Sequence, residues 1–324
     1  MKSRHRLILI GVALLSLAIG IMVGPVSLSP GELWDAIKSS GGEASPIIRQ
    51  IRVPRVLLAF LVGGGLAVSG AALQALIRNP LADPYLLGLS GGAGLGAVIA
   101  IAAGFGGSWT IPLMAFAGAM LALALVYRLS LVQGKRLDPR VLILAGVIVS
   151  AFTGALMSAI MALSDASALR NAFLWLLGGF SGASWPTLGF FVLYAFIPLV
   201  LLMASARALD LLALGDESAR HLGLDVGKAR LIVYLSTGLL TAAAVATCGI
   251  IGFVGLVVPH AARRLLGPLH RPLLPAVFLG GGAFLVLADA LARTAARPLE
   301  LPVGVVTAVI GVPLFALLLR RTLT

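Results

Sequence analysis

Long apolar stretches, mostly unbroken for about 17 to 25 residues, recur along this chain with almost no charge inside them. As a helix, such a stretch matches the hydrocarbon thickness of a bilayer, and no soluble core could absorb so many of them. With 60% hydrophobic and 11% charged residues and a mean hydropathy of +1.07, against about a quarter charged in ordinary domains, the chain reads as an all-α polytopic membrane protein. The runs show no alternation of period two, which favours a helical bundle over an outer-membrane barrel. The net charge of +12 does not point to nucleic acid, because the cations cluster between the runs.

Hydropathy places spans near 7–23, 56–77, 85–103, 111–127, 141–163, 187–206, 231–249, 250–262, 273–291 and 303–319, about ten transmembrane helices in all. The stretch 231–262 reads as two passes: as one helix it would run about 48 Å against a core of about 30 Å. Glycines at 249, 252 and 255 supply a break, and Pro259 further disturbs the second pass. Charge agrees with that division. Ten spans starting from the inside put 17 of the 24 Lys and Arg in the cytoplasm, whereas a single pass over 231–262 leaves 14 there. Both termini are then expected in the cytoplasm, and the first apolar run is read as a retained span, not a cleaved leader. Cys248, alone in the chain, reads as a small core residue.

Residues 207–230 interrupt this pattern with the longest charged stretch that keeps a helical period. Leu211, Leu212, Leu214, Ala219, Leu222 and Leu224 recur at roughly helical spacing, and Asp216, Glu217, Arg220 and His221 form a polar side. Such a helix either presses into a soluble partner or lies on lipid headgroups; the residues alone leave both open.

Chemical motifs are scarce. Gly92-Ala93-Gly94-Leu95-Gly96 has the look of a dinucleotide fingerprint but sits in an apolar span with no strand before it, so its glycines point to close helix packing. No GxxxxGK[ST] is present, so the chain does not hydrolyse ATP by itself. His5, His221, His260 and His270 are scattered, with no HExxH or CxxC to hold a metal. Asp289 is the clearest charge inside a span, and Arg293 one turn later is placed to neutralise it. His260 reads as a hydrogen-bonding residue near a helix end. On the outside Arg49, Arg52 and Arg55 precede the second span and Arg293 and Arg297 follow the ninth, against the general charge bias. A docking surface for an acidic partner and end-caps for the spans explain them equally well.

Several of these segments together resemble the FecCD-type permease family, which imports iron-siderophores, haem and cobalamin. They are Arg52-Val53-Pro54-Arg55, Ser69-Gly70 to Gln74, Asn79-Pro80-Leu81-Ala82-Asp83-Pro84, and Gly91 to Gly94 in the first third. Leu214-Gly215-Asp216 to Leu222-Gly223, Gly252 to His260, His270-Arg271, Ala288-Asp289 with Arg293, and Glu300 to Thr307 continue the likeness to the C-terminal end.

The resemblance implies a single permease domain over 1–324 with type II importer architecture. It would work as a homodimer in the bacterial inner membrane, with two ATP-binding-cassette ATPase subunits below and a periplasmic or lipid-anchored binding protein above. It also implies roles. Ala213, Leu214, Gly215, Asp216, Glu217, Ala219, Arg220, Leu222 and Gly223 would form the coupling helix, and Arg52, Arg55, Arg293 and Arg297 would dock the binding protein. Leu81 and the turn Asp138, Pro139, Arg140 would sit at cytoplasmic constrictions, although Pro139 stands where a small polar residue is expected. The fifth and tenth spans would line the pathway. No cofactor is expected on this chain; ATP and Mg²⁺ belong to the ATPase. Iron-siderophore or haem is the expected cargo, with cobalamin as the alternative. The rival from another class is an ion-coupled secondary carrier, disfavoured because Asp289 is a poor lone coupling site. A membrane-embedded enzyme is disfavoured by the lack of clustered acid, base or metal ligands.

Overall fold

A computed structural model describes residues 3–24, 31, 46–105, 109–132 and 136–323; Lys2, Lys38 and Lys135 of the charge count lie outside them. Thirteen α-helices occur among the described residues. They are α1 Ser3–Met22, α2 Val53–Ile77, α3 Leu89–Ala102, α4 Thr110–Ser130, α5 Pro139–Leu163, α6 Ala166–Leu176, α7 Trp185–Ala204, α8 Ala206–Ala213, α9 Asp216–His221, α10 Val226–Cys248, α11 Val254–Leu266, α12 His270–Ala292 and α13 Val303–Leu323. Strands β1, Leu131–Val132, and β2, Arg136–Leu137, make a two-residue antiparallel ladder between α4 and α5. A π-helical turn, Ile47–Arg52, leads into α2.

Local chemistry starts many of these helices. Asp138, Asp165 and Asp225 each accept a backbone N–H of the first turn that follows, and Pro139 occupies a first-turn position where its missing N–H costs nothing. The 166–176 helix was not expected from hydropathy; its Asp165 cap, accepting from Ser167 and Ala168, was the available signal.

At the centre stands α2, with 21 of its 25 residues buried. It packs against α12, α10, α11, α7 and α1. Small residues permit this: a Cβ on Gly70 would lie 1.9 Å from the carbonyl oxygen of Gly255 in α11. The α3 glycines act likewise, a Cβ on Gly96 falling 2.1 Å from the Met114 carbonyl oxygen of α4. Packing, as the sequence suggested, is what they serve.

Among the described residues, six helical segments are long and apolar enough to cross a membrane: 47–77, 110–130, 139–163, 185–204, 226–248 and 270–292. The first, third and tenth expected spans correspond to shorter apolar helices at 7–22, 89–102 and 303–317. The expected eighth span is corrected. It begins at Val254, not 250, and α11 has only 13 residues. The break itself falls where the glycines placed it: α10 ends at Cys248, Gly249 has φ +69°, and Gly249–Phe253 runs without helix. Non-helical backbone inside a membrane bundle needs partners within the protein. Tyr85 supplies them, its hydroxyl donating to the Ile251 carbonyl at 3.0 Å and accepting from the Ile251 N–H at 3.2 Å.

Candidate functional sites at the two ends of the bundle

The bundle has an arginine end, where α1 closes, α2 begins and α12 closes, and a loop end that carries 207–230. Each gathers charge differently.

At the arginine end Asp289, 1% exposed, takes two guanidinium partners. Arg55 reaches it from α2 through Nη2 at 2.9 Å and Nε at 3.1 Å, and Arg293 reaches it from one turn later through Nε at 2.9 Å. Arg55 also donates from Nη2 to Glu300 at 3.0 Å. The remaining cations close α1, whose last carbonyls have no helical partner. Arg52 donates to the carbonyls of Ile21 and Met22, Arg293 to those of Gly20 and Val23, and Arg297 to that of Gly24. The pairing of Asp289 with Arg293 was legible in the sequence. Arg55 and Glu300 as further partners were not. The four arginines expected to dock an outside partner are placed differently: Arg52, Arg55 and Arg293 are buried and engaged within the chain, while Arg297 is exposed. A cavity of about 580 Å³ opens beside Arg55 and Glu300 and reaches Trp175, Thr247 and Cys248. The Cys248 thiol donates to the Ala244 carbonyl at 2.9 Å inside this wall.

The loop end differs. The helical period read along 207–230 is broken at Gly215, whose φ of +102° suits glycine, into α8, which ends at Ala213, and α9, which falls within the expected 213–222. Leu212 and Ala219 turn inward, whereas Leu214 (64% exposed), Leu222 (55% exposed), Glu217, Arg220 and His221 face out. The segment is fastened beneath: Asp216 accepts from Arg230 Nη2 on α10, and Arg230 Nη1 donates to the Leu137 carbonyl at 3.0 Å. A second fastening was invisible in the sequence. Asp210 on α8 accepts the backbone N–H of His270 at 2.8 Å and faces its ring Nδ1 at 2.7 Å, joining α8 to the start of α12.

Of the residues expected at constrictions, Asp138 accepts the Arg140 N–H at 2.8 Å and opens α5, and Pro139 is the buried first-turn residue of that helix. Its ring is a helix start, which accounts for a proline where a small polar residue was expected. The Asp138–Arg140 turn shares a cavity of about 550 Å³ with Arg78, Asp216 and Arg230, beside α9. Leu81, 43% exposed, lies on the neighbouring loop, its N–H donated to Asn79 Oδ1. In that loop Asp83 caps Tyr85, and burial pushes its carboxyl up to about 6. The His260 expectation is not met: its Nε2 is enclosed with no hydrogen-bond partner among the described residues.

A many-helix apolar bundle, an electrostatically locked end and a tethered, exposed helical segment at the other define a membrane transport permease. The chain belongs to the FecCD transport family, whose model matches residues 3–321. It is 39% identical to the uncharacterized ABC transporter permease protein YvrB of Bacillus subtilis, over 99% of this chain and 95% of that one. It is 40% identical to the vitamin B12 import system permease protein BtuC of Escherichia coli O157:H7, over 95% and 92% respectively. Among solved structures it is similar to a metal-chelate type ABC transporter in an inward-facing conformation, with a TM-score of 0.85, 33% identity and 97% of each chain covered.

Proposed function

We propose that this chain is the transmembrane subunit of an ATP-driven importer that carries a metal chelate across the bacterial inner membrane by alternating access. Two copies would pair, with the loop end in the cytoplasm against two ATPase subunits and the arginine end facing a periplasmic or lipid-anchored binding protein. Both termini would then be cytoplasmic, and ATP and Mg²⁺ would be held by the ATPase. The observation that carries this reading is the loop-end linkage. An exposed segment, α9, is ion-paired through Asp216 to α10, and its neighbour α8 is bonded through Asp210 to α12, so a push on it is delivered to two buried core helices. The coupling segment and the Asp138–Arg140 turn also border one cavity, which brings a constriction within reach of that push.

A secondary carrier fits less well. Its coupling ion would need a free carboxylate in the spans, and Asp289 is already held by two arginines. Of the four arginines expected to dock a partner, Arg297 is the exposed one and supports docking of an acidic partner there; Arg52, Arg55 and Arg293 would contribute to such docking through the field they make, not by direct presentation.

Iron-siderophore or haem is one cargo reading and rests on the breadth of the family. The cobalamin reading has a specific observation in its favour, the 40% identity to BtuC. Proteoliposomes holding the chain with its ATPase and binding protein discriminate them: uptake of labelled cobalamin against that of ferric siderophore or haem, with and without ATP. Cargo uptake that persists without nucleotide or ATPase would overturn the proposal.

A further inference from the structure

The cavity at the loop end holds more positive charge than its surroundings use. Three arginines line it: Arg78 at the end of α2, Arg140 in the first turn of α5 and Arg230 on α10. Both carboxylates on its wall are already engaged, Asp138 with the backbone N–H of Arg140 and Asp216 with Arg230. Neither Arg78 nor Arg140 makes an ion pair or a side-chain hydrogen bond among the described residues. Arg230 has a side chain only 9% exposed, yet its Nε is enclosed with no acceptor. A buried guanidinium N–H without an acceptor costs free energy, and Arg230 lines the cavity, so an anion seated there would lie against its guanidinium group. Arg78 adds a second sign of constraint: as a non-glycine residue at φ +57° it holds an uncommon backbone conformation at the helix end.

The donor set selects the chemistry. Several forked guanidiniums match the tetrahedral oxygens of a phosphate, and the cavity exceeds a single ion at about 550 Å³. Ile77 and Ile143 line the same space, so a charged headgroup can sit on the arginines with apolar atoms beside it. The start of α5, a helix of 25 residues, adds its positive end.

We propose that Arg78, Arg140 and Arg230 form a phosphate-binding site, filled by the headgroup of an anionic phospholipid or by a soluble phosphate, that ties the end of α2 and the start of α5 to α9. The site stands on these residues alone and does not depend on what docks at either end.

The test is native mass spectrometry of the full chain after exchange with phosphatidylcholine vesicles containing phosphatidylglycerol, with inorganic phosphate as a separate arm. Wild type is expected to retain phosphatidylglycerol. The double variant Arg78→Asn with Arg140→Gln should retain about a hundredfold less, since two lost charged hydrogen bonds at about 1.5 kcal/mol each come to about 3 kcal/mol. Asn tolerates the left-handed backbone at 78, and the exposed Arg140→Gln alone, which leaves the fold untouched, should give a smaller loss in the same direction. Arg170→Gln, an exposed arginine on α6 at the other end of the bundle, should leave phosphatidylglycerol retention unchanged. Retention of inorganic phosphate without lipid preference supports the site with a soluble occupant. Equal retention by wild type and both arginine variants, or variants that lose only ATPase association, overturns it.

Discussion

The loop end of this bundle carries the larger share of the charged residues, and the two ends use theirs in opposite ways. At the arginine end the charges turn inward: Asp289 is closed between Arg55 and Arg293, and the α1 carbonyls absorb Arg52, Arg293 and Arg297. At the loop end a few buried bonds, Asp216 to Arg230 and Asp210 to His270, hold a segment whose other charges face out. A buried charge that loses its partner is costly, so the first arrangement resists movement. The second leaves a surface free to be grasped while its root stays attached to the core. The difference teaches where rigidity and where responsiveness are built into one chain.

The contrast is broken most completely by replacing Gly215 to Gly223 with a flexible linker. ATP-driven uptake should fall to background while binding-protein association stays near wild type; normal uptake would show that α9 transmits nothing. Next in size is Asp289→Ala, which strands two buried guanidiniums and should cost about 3–5 kcal/mol, read as a large drop in the midpoint of thermal unfolding. A loss no greater than that of an exposed substitution would mean the cluster is solvated in the membrane. Arg297→Glu sharpens the comparison instead, because Arg297 is the cluster member that reaches the surface. Binding-protein association should weaken severalfold at low salt and converge with wild type near 1 M, where the Debye length is about 3 Å.

The smallest expected effect lies at Asp83. Burial raises its carboxyl to about 6 from the 3.8 of a free aspartate, so the folded chain keeps a proton that the unfolded chain gives up. Stability from this group is therefore highest below about pH 4, declines as pH rises through about 6 and is flat above. Asp83→Asn keeps an acceptor for the Tyr85 N–H and should remove that slope in a pH series of unfolding midpoints.

Much of this was legible beforehand for local reasons. An apolar run cannot end in hydrocarbon without a polar or glycine signal, so 187–206, 231–249 and 273–291 lay within a few residues of α7, α10 and α12. Asp289 and Arg293 are four residues apart on one helix, and a spacing of four puts them on one face. The helix α6 was missed because its 11 residues are amphipathic and too short for a hydropathy window. The split between α8 and α9 was missed because the leucine period continues through Gly215 and conceals the turn there.

What the amino-acid order determined by itself was a set of apolar helices, their starts at Asp138, Asp165 and Asp225, and the break after Cys248, each settled by forces that act within a turn or two of chain. What only the folded bundle decided was which charges would meet. Arg55 and Asp289 are 234 positions apart, and Tyr85 and Ile251 are 166 apart. No periodicity encodes such a pairing. It follows from the need of every buried ion and every non-helical backbone group to find a partner inside the protein once water has been excluded.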